Sequence, residues 1–371
     1  VEVGMTGERL GVALVACLSL ALAGASCKKS GPSTTATGSG GATGSGGATG
    51  GSGGATGGSG GVTGSGGATG SGGATGGSGG AAGDIATACA KVGAAICGKV
   101  QACLPLSLAQ SWTDLATCKT RETAQCMAGQ ALAGIGNTVA TLEACAAANA
   151  AASCDQYFTA PPAACAPKGS LPAGSSCFVD QQCATGRCGL PGNMPYGTCG
   201  QCATPVALGG ACDLTGAKPC AIGDYCGATD HVCHAFVEKG GACSASTSLL
   251  CNALYTCING ACADPLAPGA TCDPQLDACN LPQGYTCSSS TKTCVPYPLA
   301  MPGAACSTDP TSGITPFCED SSTCSEPPGT PGGVCVAALG EGAACTLLGM
   351  PKCLAPLGCF GGKCAYFPQC P

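Results

Sequence analysis

Thiols are the reactive groups this chain holds in number: thirty-six cysteines in 371 residues, against two histidines. The segment His231-Val232-Cys233-His234 gathers both histidines beside a cysteine, and imidazole with thiolate makes a good zinc ligand set. Cys233, however, is the last cysteine of a regular four-cysteine unit and is expected in a bridge. His231 and His234 are therefore weak metal candidates, and no other metal ligand set stands out. Cys199-Gly200-Gln201-Cys202 has redox-motif spacing. A thioredoxin-type site needs a helix N-terminus after a strand, whereas this stretch lies between a Gly/Pro turn and Pro205, so a structural bridge is expected. Bulk thiolate sequestration of metal calls for dense Cys-x-Cys, and the cysteines here stand mostly five or more apart.

Catalysis finds little material. With two histidines in all, both in one short segment, a Ser–His–Asp arrangement has almost nothing to use. There is no HExxH, no P-loop and no nucleotide-binding glycine turn. Gly57-Gly58-Ser59-Gly60-Gly61 spells the serine-hydrolase elbow but lacks a flanking strand or helix. The net charge of −6 and the absence of a basic or aromatic stripe disfavour nucleic acid as a partner. The expectation is a protein that is not an enzyme and takes no cofactor.

So many cysteines mark instead a scaffold held by disulfides, and hence an oxidising compartment. The N-terminal segment supplies a route there. Residues 1–26, with Met5 as the expected start, have a polar head carrying Arg9, an apolar run over Leu10–Ala23 and small residues before Cys27. The run is too short for a retained membrane span. Leu22-Ala23-Gly24-Ala25-Ser26-Cys27 resembles the lipobox of bacterial lipoproteins, with Gly24 where that family usually carries Leu. The resemblance implies lipidation at Cys27, an anchor site over 27–30 and, with Lys28 next in the chain, an outer-membrane location on the periplasmic or extracellular side. The other reading is an ordinary signal peptide followed by a disulfide-bonded Cys27.

Residues 31–83 are almost wholly Gly, Ser, Ala and Thr. Such a tract has no apolar area to offset the entropy of ordering, and reads as a disordered linker. A coil of about 50 such residues spans roughly 40 Å, a length suited to a stalk.

Helices and hairpins must position the cysteines. Residues 84–168 read as a short three-helix module stapled by disulfides. Ile85, Cys89, Val92, Ile96, Val100 and Cys103 fall on one helical face, with Asp84 as N-cap and Pro105 as the stop. Ser111-Trp112-Thr113-Asp114 resembles a capping box before a second helix carrying Cys118 and Cys126. Asn137 or Thr138 would cap a third with Cys145 facing inward, continuing towards Cys154. With Cys165 the module holds eight cysteines, an even number whose pairing spacing alone does not decide.

Residues 169–371 form an array of six repeats, over about 174–208, 209–239, 240–268, 269–302, 303–341 and 342–371. Each opens on Gly-x-x-Cys and is expected to fold as an irregular unit with short hairpins. The cysteines read as Cys177, Cys183, Cys188, Cys199; Cys212, Cys220, Cys226, Cys233; Cys243, Cys251, Cys257, Cys262. They continue as Cys272, Cys279, Cys287, Cys294; Cys306, Cys318, Cys324, Cys335; Cys345, Cys353, Cys359, Cys364. Cys202 and Cys370 stand outside this pattern, and pair with each other or rearrange the terminal units. A unit this small cannot fold on an apolar core, so two bridges per unit are expected to stabilise it. Tyr225, Tyr255 and Tyr285, each just before a third cysteine, are expected to cover the bridge.

Cys220-Ala221-Ile222-Gly223-Asp224-Tyr225-Cys226 and Gly284-Tyr285-Thr286-Cys287 resemble the Dickkopf N-terminal cysteine-rich domain and the EB-type modules of secreted invertebrate proteins. The whole layout resembles the cysteine-rich lipoproteins of predatory soil bacteria. That resemblance implies an exported envelope lipoprotein, membrane-bound through its N-terminal lipid, whose repeats meet a protein or glycan at the cell surface or act as a spacer. The alternative is a protease inhibitor presenting the long loops Cys306–Cys318 and Cys324–Cys335. A metal-binding protein using His231 and His234 is a third class.

Overall fold

A computed structural model describes residues 84–371 apart from 160, 190–198, 215, 244–248, 307–313, 326–331, 347–350, 369 and 371. The signal segment, Cys27 and the glycine tract lie outside the described residues. So do most of the Cys306–Cys318 and Cys324–Cys335 loops.

The first part is helical. Helix α1 (Ile85–Cys103) starts where Asp84 accepts the Thr87 N–H at 2.7 Å. Of the stripe read from the sequence it buries Cys89, Val92, Ile96, Val100 and Cys103 and leaves Ile85 half-buried, and it buries Cys97 as well. Two short helices add to the three expected. Helix α1 stops at Cys103, as Pro105 predicts, and Pro105 itself opens a separate helix α2 (Pro105–Trp112). Proline fits a helix's first turn, where its missing N–H has no partner to lose.

Helix α3 (Leu115–Gln130) is capped by Asp114 through the Thr117 N–H, as Asp84 caps α1. Ser111 and Trp112 close α2 instead, and take no part in that cap. Helix α4 (Val139–Ala151) begins with a reciprocal box between Thr138 and Thr141. Each cap satisfies backbone donors that a helix start leaves open. The alanine-rich stretch stops at Ala151, and a separate α5 (Cys154–Thr159) carries Cys154.

Cys89–Cys126 and Cys97–Cys118 tie α1 to α3. Both partners on each helix are eight residues apart, about two turns, so antiparallel helices meet at two matched levels. Between them Gly93 approaches α3 so closely that a Cβ there would lie 2.9 Å from Thr123 Oγ1. Cys103–Cys154 and Cys145–Cys165 fasten α5 and the segment after it. Trp112, the chain's one tryptophan, lies in the core these helices share, with Leu104, Leu108 and Leu142.

The rest, among the described residues, is an array of small antiparallel hairpins in two-stranded sheets, apart from one sheet of order β1-β3-β2 and one parallel pair, β10-β11. The strands are β1 (Ser176–Cys177), β2 (Cys188–Gly189), β3 (Gly200–Cys202), β4 (Asp224–Cys226) and β5 (Cys233–Ala235). Then come β6 (Thr256–Ile258), β7 (Ala261–Ala263), β8 (Tyr285–Cys287), β9 (Cys294–Pro296) and β10 (Leu299–Ala300). Last are β11 (Phe317–Cys318), β12 (Thr323–Ser325), β13 (Val334–Val336), β14 (Gly358–Phe360) and β15 (Lys363–Ala365). The third and fourth cysteines of a repeat face each other in register, as Cys257 and Cys262 do, yet neither bonds the other.

The pairing is first to third and second to fourth, six times over. It runs Cys177–Cys188 with Cys183–Cys202, Cys212–Cys226 with Cys220–Cys233, and Cys243–Cys257 with Cys251–Cys262. The remaining three are Cys272–Cys287 with Cys279–Cys294, Cys306–Cys324 with Cys318–Cys335, and Cys345–Cys359 with Cys353–Cys364. Among the described residues no cysteine is free.

The repeat glycine has a conformational task. Gly174, Gly209, Gly240, Gly269, Gly303 and Gly342 all have positive φ, between 76° and 86°, with open space where a Cβ would stand. Each is the third residue of a four-residue turn closed by a backbone hydrogen bond, such as Gly210 N–H to the Ala207 carbonyl at 2.9 Å. That is the type II turn, which demands φ > 0 at this position. Each glycine N–H then donates to the carbonyl of a fourth cysteine, at 2.7–2.9 Å.

In the first repeat that acceptor is Cys202, which corrects the assignment made from spacing. Cys202 is the fourth cysteine of that unit, and Cys199 is the extra one. The unit also opens earlier than its glycine. Three residues ahead, Val206, Val237, Leu266 and Leu339 each bridge in parallel to the second cysteine of their repeat.

Candidate functional site: the array docked on the helices

The repeats fold back onto the helical module, and they do so at the ends of helices. The last carbonyls of a helix have no partner within it. At the end of α2, Asp320 N–H reaches Ala109 O at 3.3 Å and Ser321 N–H reaches Gln110 O at 2.6 Å. Ser321 Oγ and Arg121 Nη1 both donate to Ser111 O, at 3.0 and 3.3 Å. Arg121 also pairs with Asp320 at 2.7 Å. Asp320 and Ser321 sit with φ of 54° and 58° in the turn that aims these donors.

The same logic recurs. Gln283 Nε2 of the fourth repeat donates to Cys103 O, the last residue of α1, at 3.1 Å. Gln182 Nε2 of the first donates to Ala133 O just beyond α3, at 2.9 Å. Tyr255 of the third repeat donates its hydroxyl to Asp155 on α5 at 3.0 Å, while Leu254 and, from the sixth repeat, Ala355 pack on the helical core. Of the three tyrosines expected over a bridge, Tyr285 packs on its repeat's cysteine cluster. Tyr255 instead reaches the helices, and the Tyr225 hydroxyl accepts the Leu250 N–H of the next repeat at 2.9 Å.

A seam joins the first repeat to the last. Cys199 bonds Cys370 across 171 residues of chain. Beside it Phe178 meets Phe360 and Phe367 edge-on, at 5.5 and 5.9 Å between ring centres, over Leu132 and Ile135 of the helical module. Phe367 lies 3.6 Å from where a Cβ on Gly129 of α3 would stand.

Two carboxyl groups are buried, each in a different way. Asp180 and Arg187 form an ion pair at 2.5 Å with both side chains almost fully covered. Asp180 also accepts the Cys188 N–H at 2.6 Å. Burial pushes Asp180 up to about 6 against the opposing pull of Arg187, so desolvation outweighs the pairing. Glu122 on α3 is 2 % exposed, and neither of its oxygens has a hydrogen-bond partner. Burial alone pushes it up to about 8, so it holds its proton at neutral pH.

Of the metal candidates, His231 occupies a hairpin turn with φ of 55° and gives its carbonyl to the Cys212 N–H. His234 Nε2 lies 2.8 Å from Asp230 Oδ2. Cys233 between them is bonded to Cys220. Three-sulfur clusters such as Cys177, Cys183 and Cys202 recur, but those sulfurs belong to disulfides and offer no thiolate. Cys199 and Cys202 do not bond each other, and Gly200–Cys202 is a strand.

The outward face of the array is a series of turn tips. Ala173, Leu208, Lys239, Pro268, Pro302 and Glu341 hold the same place in successive type II turns, and all are exposed. Leu208 at 61 %, with Met301 at 63 % and Leu276 at 75 %, leaves large apolar side chains in solvent. Neither the turn tips nor the helix-end donors were found by sequence reasoning. The Gly-x-x-Cys glycine marked the first, one residue ahead of it.

Geometry and bonding together define a class: a disulfide-rich protein of an oxidising, extracytoplasmic setting, with a helical module carrying a cysteine-rich hairpin array. Among the described residues no helix is long and apolar enough to cross a membrane. No protein family description matches the chain, and no solved structure matches it. Among curated proteins it is similar to cell-cell adhesion glycoprotein 64 of Heterostelium pallidum, 34 % identical over 151 residues. That match covers 38 % of this chain and 41 % of the relative, so the chain spans well under half of the protein it resembles.

Proposed function

We propose that this chain is a non-enzymatic, exported surface protein whose locked array makes adhesive contacts with a protein or glycan at a cell surface. The observation that carries the proposal is the 34 % identity to a protein named for cell–cell adhesion. The exposed turn tips, varied in side chain on a constant frame, supply a surface suited to it. In this proposal Cys27 carries lipid, the glycine tract is a stalk, and the outer membrane holds the anchor. The likeness to Dickkopf and EB-type modules is one of cysteine spacing, and no partner is carried over from it.

Docking on the helices changes how several contacts would act together. Repeats fixed on one support present their tips in set relation, so contacts made at once are strengthened without paying for linker search. Beads coated with the full chain through its N-terminus test the reading. Clustering, or capture of cells, that is lost after complete reduction of the disulfides supports it. Beads that neither cluster nor capture cells or surface glycans refute it.

A further inference from the structure

Of the disulfides described, Cys199–Cys370 alone joins different units of the array; the others lie within the helical module or within a single repeat. It is also partly exposed at both cysteines. Cys345–Cys359 shares that exposure but closes only a short loop inside the sixth repeat. In each remaining repeat at least one cysteine of every bridge is buried.

We propose that Cys199–Cys370 is a redox latch that holds the array's seam shut. The last strand, β15, ends at Ala365, and none of the described residues beyond it lies in a strand. This tail is held by the packing of Phe367 on α3 and Phe178, and by the latch. Breaking this bridge leaves both bridges of every repeat and the helix-end contacts of the third, fourth and fifth repeats in place. Only the seam, with Phe178, Phe360 and Phe367, is freed.

The chemistry is thiol–disulfide exchange with a dithiol. One thiolate attacks Cys199 or Cys370 sulfur, breaks the S–S bond and forms a mixed disulfide while the other cysteine leaves as thiolate. The reagent's second thiolate then attacks the mixed disulfide and releases the remaining cysteine. The protein gains two electrons and two protons, and the dithiol becomes a disulfide.

The latch stands or falls independently of the adhesive role. Its test is limited reduction of the full native chain with dithiothreitol, alkylation of the thiols released, peptide mapping and hydrogen exchange. Cys199 and Cys370 are expected to be alkylated before any other pair, with protection lost around 178–179 and 366–367, beyond the end of β15, but kept at the repeat hairpins. The double variant Cys199→Ser/Cys370→Ser should show the same local loss without reductant. Reduction of any repeat bridge first overturns the proposal. So does a seam that stays protected after Cys199 and Cys370 are alkylated, a result read on native protein whether or not the variant folds.

Discussion

Replacing Glu122 by Gln should stabilise the protein, and the gain should grow with pH. The Glu122 side chain is buried without a hydrogen-bond partner, and its pKa is raised from 4.5 to about 8. A carboxyl raised on folding gives stability that is whole below the unfolded value and is lost as pH climbs through the folded one. The relevant window is therefore pH 4.5 to about 8. At about 1.36 kcal/mol per pH unit, the full loss across that window approaches about 5 kcal/mol. Glutamine keeps the shape and cannot ionise. The variant and parent should match near pH 4, then diverge by several kcal/mol at pH 8–9. Guanidinium unfolding with disulfides intact, followed by the fluorescence of Trp112, reads this directly, because that residue is the chain's one tryptophan and is 1 % exposed. Parallel stability curves for the two proteins from pH 4 to 9 would show that Glu122 is not held in a dry, unpartnered place.

Other consequences are smaller or more local. Gly303→Ala forces a side chain into a left-handed turn with φ of 86°, and should cost about 1–2 kcal/mol although the space is open; thermal unfolding checks it, and a neutral result removes the turn argument. Ser321→Ala removes a donor to Ser111 O and the acceptor of the Ala355 N–H, so about 1–3 kcal/mol should be lost, with faster hydrogen exchange at Ala355. Tyr255→Phe should cost about 1 kcal/mol by deleting the bond to Asp155, measured by the same thermal unfolding. Asp180→Asn removes the negative charge facing the buried Arg187 guanidinium and should destabilise by about 3–5 kcal/mol, seen as loss of the first repeat in proteolysis.

Much of this fold is legible in the sequence because its rules are local. The stripe from Ile85 to Cys103, the Asp84 cap and the six Gly-x-x-Cys openings each depend on residues within a few positions of one another. The stop at Pro105 was legible too, since α1 ends at Cys103, but the short helix that Pro105 itself opens was not, because proline is compatible with a helix start as well as a stop. Docking was not legible. Tyr255 and Asp155 are 100 residues apart, and Ser321 and Ser111 are 210 apart. No periodicity records which helix end a turn will satisfy. The first repeat shows the limit most clearly: Cys199 and Cys202 lie three residues apart, and spacing chose the wrong one. A backbone hydrogen bond from Gly174 to Cys202 O, invisible in the sequence, decides between them.

The whole architecture rests on which sulfurs are joined. Peptide mapping of the unreduced native protein by mass spectrometry tests that most directly. The structure predicts first-to-third and second-to-fourth pairs in all six repeats, Cys89–Cys126 and Cys97–Cys118 across α1 and α3, and a peptide linking Cys199 to Cys370. Neighbouring cysteines bonded in sequence order within the repeats, or Cys199 bonded to Cys183, would contradict it.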